Sequence, residues 1–354
     1  MVRLGVADSS EPPAEQEVIL PHRGAFRRLV ALARGVRNTL KAFIRLLGRR
    51  KEQREVMTIL VTGASVGIGL ELAKLLREGP HRVALTARTS SLARFEEEGL
   101  VPGERLLLLP LDVTIDEQRL AVVRAIEERW GGVDVLVNNA GIAYRAVAEH
   151  VSEAERLAQL DANFLGPMEL TRLVLPHMRA QRYGRIINVS SVSGMTAMPT
   201  MSIYSASKFA LEGASESLWY EMRPFGVRVS LVRPGFINSD GFRKVLFTAQ
   251  AERALTDPND PYHAHYANMH ELIEGLMTLT FYTARDVAET ILDVIEQKNP
   301  PLWVAGTLDA QLFDFLRRII PSGFYHRLLY AALPRIWRWG QSGSLALSSL
   351  PPKK

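Results

Sequence analysis

Between residues 57 and 308 the chain alternates two hydrophobic rhythms. Short apolar runs are bounded by glycine, asparagine, aspartate or proline. Between them lie longer segments whose apolar positions recur every three or four residues. The first pattern predicts buried strands and the second amphipathic helices. Strands are expected at residues 59–61, 82–87, 105–111, 133–137, 185–189, 228–232 and 302–305. Helices are expected after the glycine-rich stretch that ends at Gly69, running to Arg77 with Gly79-Pro80 as the stop, and at 116–130, 152–181, 204–221 and 284–297. Gly166-Pro167 and Pro176 interrupt the third of these, which predicts a bend near Asn163. Strand and helix alternating throughout predicts an α/β fold: a parallel, doubly wound sheet with helices on both faces and its site at the carboxyl ends of the strands.

Three stretches break this rhythm. Residues 236–283 are too long for a simple connection and carry Phe236, Phe242, Phe247, Tyr262, Tyr266, Met269, Met277 and Tyr282. An insertion at that edge reads as a lid, and an apolar lid suggests an apolar small-molecule substrate. Packing of the lid on its own domain is the other reading. His263, His265 and His270 lie here without carboxylate partners in metal-site spacing, so no metal is expected.

In residues 24–51, Leu29, Leu32, Val36, Leu40, Phe43 and Leu47 share a helical face, and arginines and lysines fill the other. This basic amphipathic helix suits an anionic membrane surface, a partner or nucleic acid, or a solvated face packed on its own domain. In residues 312–339, aromatic and arginine residues interleave. Trp337 and Trp339, flanked by Arg335 and Arg338, suit an interfacial anchor, a subunit interface or a cap on the cleft. The organisation is therefore a tail and basic helix at 1–56, a catalytic domain at 57–308 and an apolar, aromatic extension at 309–354.

Composition narrows the classes. Much of the formal charge of +5 sits around residues 23–54, so it describes one segment and not the whole surface, and no nucleic acid is expected as a partner. Cysteine is absent, which excludes disulfides, thiolate catalysis and cysteine-bound zinc. No apolar run is long enough for a membrane-spanning helix, and the acidic first twenty residues do not resemble a secretory signal. A cytoplasmic protein is expected, associated at most peripherally with membrane.

Candidate chemistry gathers at the strand ends. Thr62-Gly63-Ala64-Ser65-Val66-Gly67-Ile68-Gly69 stands between the first strand and the first helix. That order opens a dinucleotide-binding unit: glycines let the backbone approach a pyrophosphate, and the helix N-terminus offers free N–H groups. The second strand ends in Arg88, Thr89 and Ser90, where a site for a bare ribose would place an acid. A guanidinium with two hydroxyls suits a 2′-phosphate, so NADP(H) is expected, with NAD(H) as the alternative. An ordinary surface arginine is the competing reading.

Tyr204 and Lys208 lie four apart on the predicted helix 204–221 and so share one face. An ammonium beside a phenol favours the phenolate and lowers a pKa that is ordinarily near ~10, giving an acid/base for neutral pH. Ser190 and Ser191 end the strand before it and can bond the oxygen that Tyr204 protonates. The pair alone fits an ordinary surface helix equally well.

Together the motifs resemble the short-chain dehydrogenase/reductase family. They are T-G-A-S-V-G-I-G from Thr62, N-N-A-G from Asn138, N-V-S-S from Asn188, Y-S-A-S-K from Tyr204 and P-G-F-I-N-S from Pro234. The resemblance covers about residues 57–308. Its texture is most similar to the 17β-hydroxysteroid and retinol dehydrogenase group and its bacterial relatives. It implies a Rossmann-type fold of about seven strands with N- and C-terminal helical extensions, and hydride transfer between a nicotinamide and a carbonyl or alcohol.

The resemblance also implies roles for individual residues. Tyr204 would be the acid/base. Lys208 would hold the nicotinamide ribose and lower the tyrosine pKa. Ser191 would polarise the substrate oxygen, and Asn163 would hold a water linking Lys208 to solvent. Gly63, Ser65, Gly67, Ile68 and Gly69 would surround the pyrophosphate. Asp112 and Val113 would meet the adenine, and Asn139, Ala140 and Gly141 the adenosine side. Pro234, Gly235, Ile237 and Ser239 would border the nicotinamide. Val66 stands where many NADP-binding relatives have a basic residue, so Arg88 carries that inference alone. Ser239 replaces the usual threonine. A homodimer or homotetramer would form on the helices beginning near Asn163 and Tyr204. A non-catalytic NADP(H) sensor or tethered interaction protein on the same fold is the alternative function.

Overall fold

The computed structural model describes residues 55–238 and 245–340. The basic segment 24–51 and Phe242 lie outside the described residues. The strands are β1 (Thr58–Val61), β2 (Arg82–Ala87), β3 (Leu106–Pro110), β4 (Val135–Asn138), β5 (Gly184–Val189), β6 (Val227–Arg233) and β7 (Trp303–Ala305). They form one sheet in the order β3-β2-β1-β4-β5-β6-β7, with every pairing parallel. The order reverses between β1 and β4, which opens a crevice at their carboxyl ends.

The described helices are α1 (Gly67–Glu78), the short α2 (Ala93–Glu97), α3 (Asp116–Trp130), α4 (Glu153–Leu160), α5 (Gly166–Ala180), α6 (Ser202–Met222), α7 (Ala249–Thr256), α8 (His263–Leu279), α9 (Ala284–Glu296), α10 (Leu308–Ile319) and α11 (Ser322–Ala331).

Alternation along the strands divides the core into two layers. Ile59 and Val61 face α1 and α9, packing with Leu72, Leu76, Val287 and Ile291. Leu60 points the other way and packs with Val122, Ile126, Leu170 and Leu218 from α3, α5 and α6. Side chains of this kind contribute about 1.5–3 kcal/mol each when fully buried.

The predicted helix 152–181 is two helices joined by a π turn, Asp161–Leu165. Ser152 caps α4 in a reciprocal box with Glu155, bonding the Glu155 N–H at 3.3 Å and receiving the Glu155 carboxylate on its own N–H at 2.8 Å. The π turn is the bend expected near Asn163. Gly166 begins α5 because it passes the Val113 carbonyl so closely that a Cβ would collide with it.

The insertion after β6 contains α7 and α8. Tyr266 packs with Ala146, Val151, Ala251 and Ala254, while Met269, Ile273 and Met277 pack with Leu333 and Trp339. These bulky side chains pack on one another and on residues outside the insertion, so they do not define a substrate surface by themselves.

Candidate active site

The glycine turn is built into the switch point. Thr62 Oγ1 accepts the N–H groups of Asn139 and Ala140, each at 3.0 Å, and Asn139 Nδ2 donates to the carbonyls of Thr62 and Gly63 at 3.0 Å. Gly63, at φ +64°, allows this contact; a Cβ there would lie 2.8 Å from Ala140 Cα. A Cβ on Gly69 would collide with the Gly63 carbonyl. The residue before α1 is Val66, whose side chain gives no cap. The first N–H groups of α1 therefore face the crevice without a side-chain acceptor, the donor set a pyrophosphate needs. The residues present thus fit a dinucleotide. Ser65 is buried, and Ile68 half-buried, in the same turn.

Arg88, Thr89 and Ser90 are exposed at the end of β2. Asp112 follows β3 and accepts from Thr114 N and Oγ1 through one carboxylate oxygen, and Val113 beside it is buried. Ser239 lies outside the described residues. The structure brings the remaining predicted residues to the carboxyl end of the sheet. A shallow depression of about 240 Å³, lined by Thr58, Arg82, Trp130, Asp134, His177 and Gln181, lies at the opposite end and holds none of them.

Tyr204 and Lys208 sit on the first turns of α6, with the ammonium 5.9 Å from the phenol ring centre. Ser191 caps a short 3-10 turn after β5, its Oγ accepting the Ser193 N–H at 3.1 Å, and its hydroxyl lies beside the phenol. Burial raises the Tyr204 pKa above its ordinary value, and the Ser191 hydroxyl, which favours the phenolate, only partly opposes it. The direction is opposite to the lowered phenol expected from Lys208, and burial sets it. Lys208 is itself pushed down to about 8 by burial, which the charge of Glu212 opposes. Its ammonium donates to the Val189 carbonyl at 2.9 Å.

Asn163 is fully buried. Its Oδ1 accepts the Ile142 N–H at 2.8 Å, and its Nδ2 donates to the Ile142 carbonyl at 2.8 Å and to Ser207 Oγ at 3.0 Å. The side chain thus fixes the segment after Gly141 and ties it to α6, and both of its amide hydrogens are engaged in doing so.

Several residues that sequence reasoning passed over hold this frame. Asn138 Nδ2 donates to Asn188 Oδ1, and Asn188 Nδ2 to Ser215 Oγ, both at 2.8 Å, tying β4, β5 and α6 together. Glu212 is 8% exposed, accepts the Ser190 hydroxyl at 2.7 Å and pairs with Arg233 through both carboxylate oxygens. Arg233 also reaches Asp314 of α10 at 3.2 Å. Glu212 follows Lys208 by four residues, a shared helix face that the sequence did display. Of the lid histidines, His263 bonds the Ala254 carbonyl, His270 lies between Arg145 and Glu274, and His265 packs against Tyr262 and Trp339.

With this geometry in place, residues 57–249 match the family described as short chain dehydrogenase. The chain is 36% identical over 277 residues to a 3-ketodihydrosphingosine reductase of Bacteroides thetaiotaomicron, covering 77% of this chain and 97% of that one. It is 35% identical over 295 residues to human retinol dehydrogenase 8, covering 80% and 93%. Among solved structures, a short-chain dehydrogenase from Streptomyces avermitilis is 30% identical with a TM-score of 0.66, over 78% of this chain and 97% of that one. Another, from Burkholderia cenocepacia in complex with NADP, is 25% identical with a TM-score of 0.59, over 78% and 98%. A doubly wound sheet with this glycine turn at its switch point belongs to the nucleotide-dependent oxidoreductases. Within that class, the chain belongs to the short-chain dehydrogenase family and is an NAD(P)-dependent dehydrogenase/reductase.

Proposed function

We propose that this protein is an NADP(H)-dependent oxidoreductase that interconverts a carbonyl and an alcohol on an apolar, lipid-like substrate. The observation that carries this reading is the phenol of Tyr204 beside the Ser191 hydroxyl, with Lys208 one turn along the same helix. Bound NADPH would supply the hydride. The chain's own residues do the rest. A phenol held above its ordinary pKa is protonated at neutral pH and is an acid for the reductive direction. Tyr204 delivers that proton to the substrate oxygen, while the Ser191 hydroxyl donates a hydrogen bond to the same oxygen as negative charge grows on it. Lys208 holds the nicotinamide ribose with its ammonium. Asn163 orients the Gly141–Ile142 backbone beside that ammonium. Arg88, with Thr89 and Ser90, takes the 2′-phosphate, a preference supported by the NADP complex of the Burkholderia relative.

An apolar substrate is supported by the two curated relatives, whose names specify a long-chain sphingoid ketone and retinol. A membrane-surface location of residues 312–339 fits the same chemistry. Leu308, Leu312, Phe315 and Ile319 are all about half-exposed along one face of α10, and Arg317 and Arg318 flank them. No helix among the described residues is long and apolar enough to cross a membrane. Leu157, Leu165, Phe209 and Tyr220, exposed on α4, the π turn and α6, favour a homodimer or homotetramer.

The test is oxidation of NADPH, with NADH in parallel, against ketones and aldehydes from short-chain to steroid, sphingoid and retinoid. Tyr204→Phe should remove turnover by about 10²-fold or more and leave NADPH binding intact. Turnover confined to small polar carbonyls sinks the lipid-like reading. Cofactor binding with no turnover of any carbonyl or alcohol turns the reading to a sensor. Flotation of full-length protein with anionic vesicles tests the membrane surface, and protein left in the soluble fraction refutes it.

A further inference from the structure

The extension after β7 is bonded into the turn that follows β6. Gly235 N–H donates to Thr307 Oγ1 at 2.9 Å, and Phe236 N–H donates to Asp309 Oδ2 at 2.8 Å. Proline has no N–H, so both backbone donors of residues 234–236 end on side chains at the start of α10. Pro234 contributes its carbonyl, which accepts the Val192 N–H at 2.8 Å from the 3-10 turn that Ser191 begins. Thr307 is the N-cap of α10 and also receives the Ala310 N–H at 3.4 Å. Asp309 lies in the first helical turn, where the N–H dipoles favour a carboxylate.

Two further contacts make the attachment rigid. A Cβ on Gly235 would collide with the Asp309 carboxylate and lie 2.5 Å from Thr307 Oγ1, so the glycine is demanded by the extension. Ala310, with no exposure, packs against Val192 and Met195 in the turn after Ser191. The turn at 234–236 is therefore seated on α10 on one side and on the Ser191 turn on the other.

We infer that Asp309 is a positioning residue for the nicotinamide half of the cofactor site, setting the backbone of residues 234–236 through its bond to the Phe236 N–H. This rests on the proposed NADP(H) reading, and it makes the extension part of the site. Removing the carboxylate leaves Phe236 N–H without its acceptor and frees the turn. The adenosine end, built from the glycine turn, Arg88 and Asp112, is untouched.

The experiment compares two ligands on the full chain: NADPH, and adenosine 2′,5′-bisphosphate, which carries the 2′-phosphate but no nicotinamide. Asp309→Ala should weaken NADPH binding about ten-fold, as expected for one lost acceptor, and lower kcat at saturating NADPH. Binding of the bisphosphate should stay within about two-fold of wild type, because its contacts lie elsewhere. Asp309→Asn keeps an acceptor oxygen and should remain within about three-fold of wild type for NADPH. Wild-type NADPH affinity in Asp309→Ala overturns the inference, as does equal loss of both ligands or equal impairment of Ala and Asn. If Asp309→Ala does not fold, Asp309→Glu, which moves the same charge by one methylene, must give the same split between ligands, and wild-type behaviour there is the contrary result. Wild-type protein that binds the bisphosphate but not NADPH, or neither, refutes the cofactor reading itself and is distinct from these outcomes.

Discussion

Glu212 offers the sharpest test of how the site is held. Its carboxylate is buried with the Arg233 guanidinium, each with side-chain exposure of 10%, and it also accepts the Ser190 hydroxyl. Removing one partner of a buried ion pair leaves an uncompensated charge and costs about 3–5 kcal/mol. Asp314 still meets Arg233 at 3.2 Å, so the lower part of that range, about 3 kcal/mol, is expected. In a domain of this size each kcal/mol lowers the melting temperature by about 2–4 °C, so Glu212→Ala should melt about 6–12 °C below wild type. Glu212→Gln preserves the shape but turns an amide toward the guanidinium and should lose a comparable amount. Glu221→Ala, exposed on the same helix, should shift by less than about 2 °C. Thermal denaturation followed by circular dichroism decides the matter. If both Glu212 variants melt within about 1 °C of wild type, the buried pair does not hold the site. The same variants carry a second signature: Glu212 raises the Lys208 pKa, so its neutralisation should move the Lys208 titration to lower pH.

Other outcomes follow from the same geometry. Lys208 loses its proton in the free protein at about pH 8, so kcat/KM for NADPH should fall as pH rises through that value, measured in a pH series at fixed ionic strength; a flat profile from pH 7 to about 9.5 contradicts it. The stability sign is opposite. The folded value lies below the ordinary 10.5, so a cost carried at low pH should be relieved between about 8 and 10.5, visible as a rising chemical-denaturation midpoint unless other groups cancel it. Arg88→Leu should reduce the NADPH-over-NADH preference about 10- to 100-fold by loss of charge-assisted bonds, read as a ratio of kcat/KM values; an unchanged ratio places the 2′-phosphate elsewhere. Asn163→Ala strands the Ile142 N–H and should destabilise the protein by about 1–3 kcal/mol while raising KM for NADPH.

The periodic parts of the fold were readable in the chain. Helix 116–130 and strand 82–87 stand as the pattern predicts, the helix with one buried face and the strand as an apolar run buried on both. The fourth strand was placed two residues early. Val133 and Asp134 are buried like strand residues, but the first β4 residue paired with β1 is Val135, opposite Ile59. No helix is expected from the sequence within residues 236–283, and α8 was missed although Tyr266, Met269, Ile273 and Met277 recur at helical spacing. The pKa of Tyr204 was not legible, since sequence names the neighbouring charge but not the burial that raises it. Nor were the roles of Arg233, Asp309 and Asp314, whose partners lie 21, 73 and 81 residues away along the chain. Contacts that distant leave no local pattern.

The π turn at Asp161–Leu165 also fixes rotational phase. A π turn takes up one residue more than an α turn, so it holds an extra residue in the rod while keeping the helices on either side in phase. α5 is fixed in place, because Gly166 is wedged against the Val113 carbonyl and Leu170 and Val174 are locked in the sheet core. Deleting one residue would therefore remove the bulge itself, which holds Asn163, and carry that amide away from Ile142 and Ser207. A single-codon deletion in this segment should therefore erase the site while sparing the sheet, whereas equal deletions in the loop at 257–261, between α7 and α8, should be absorbed.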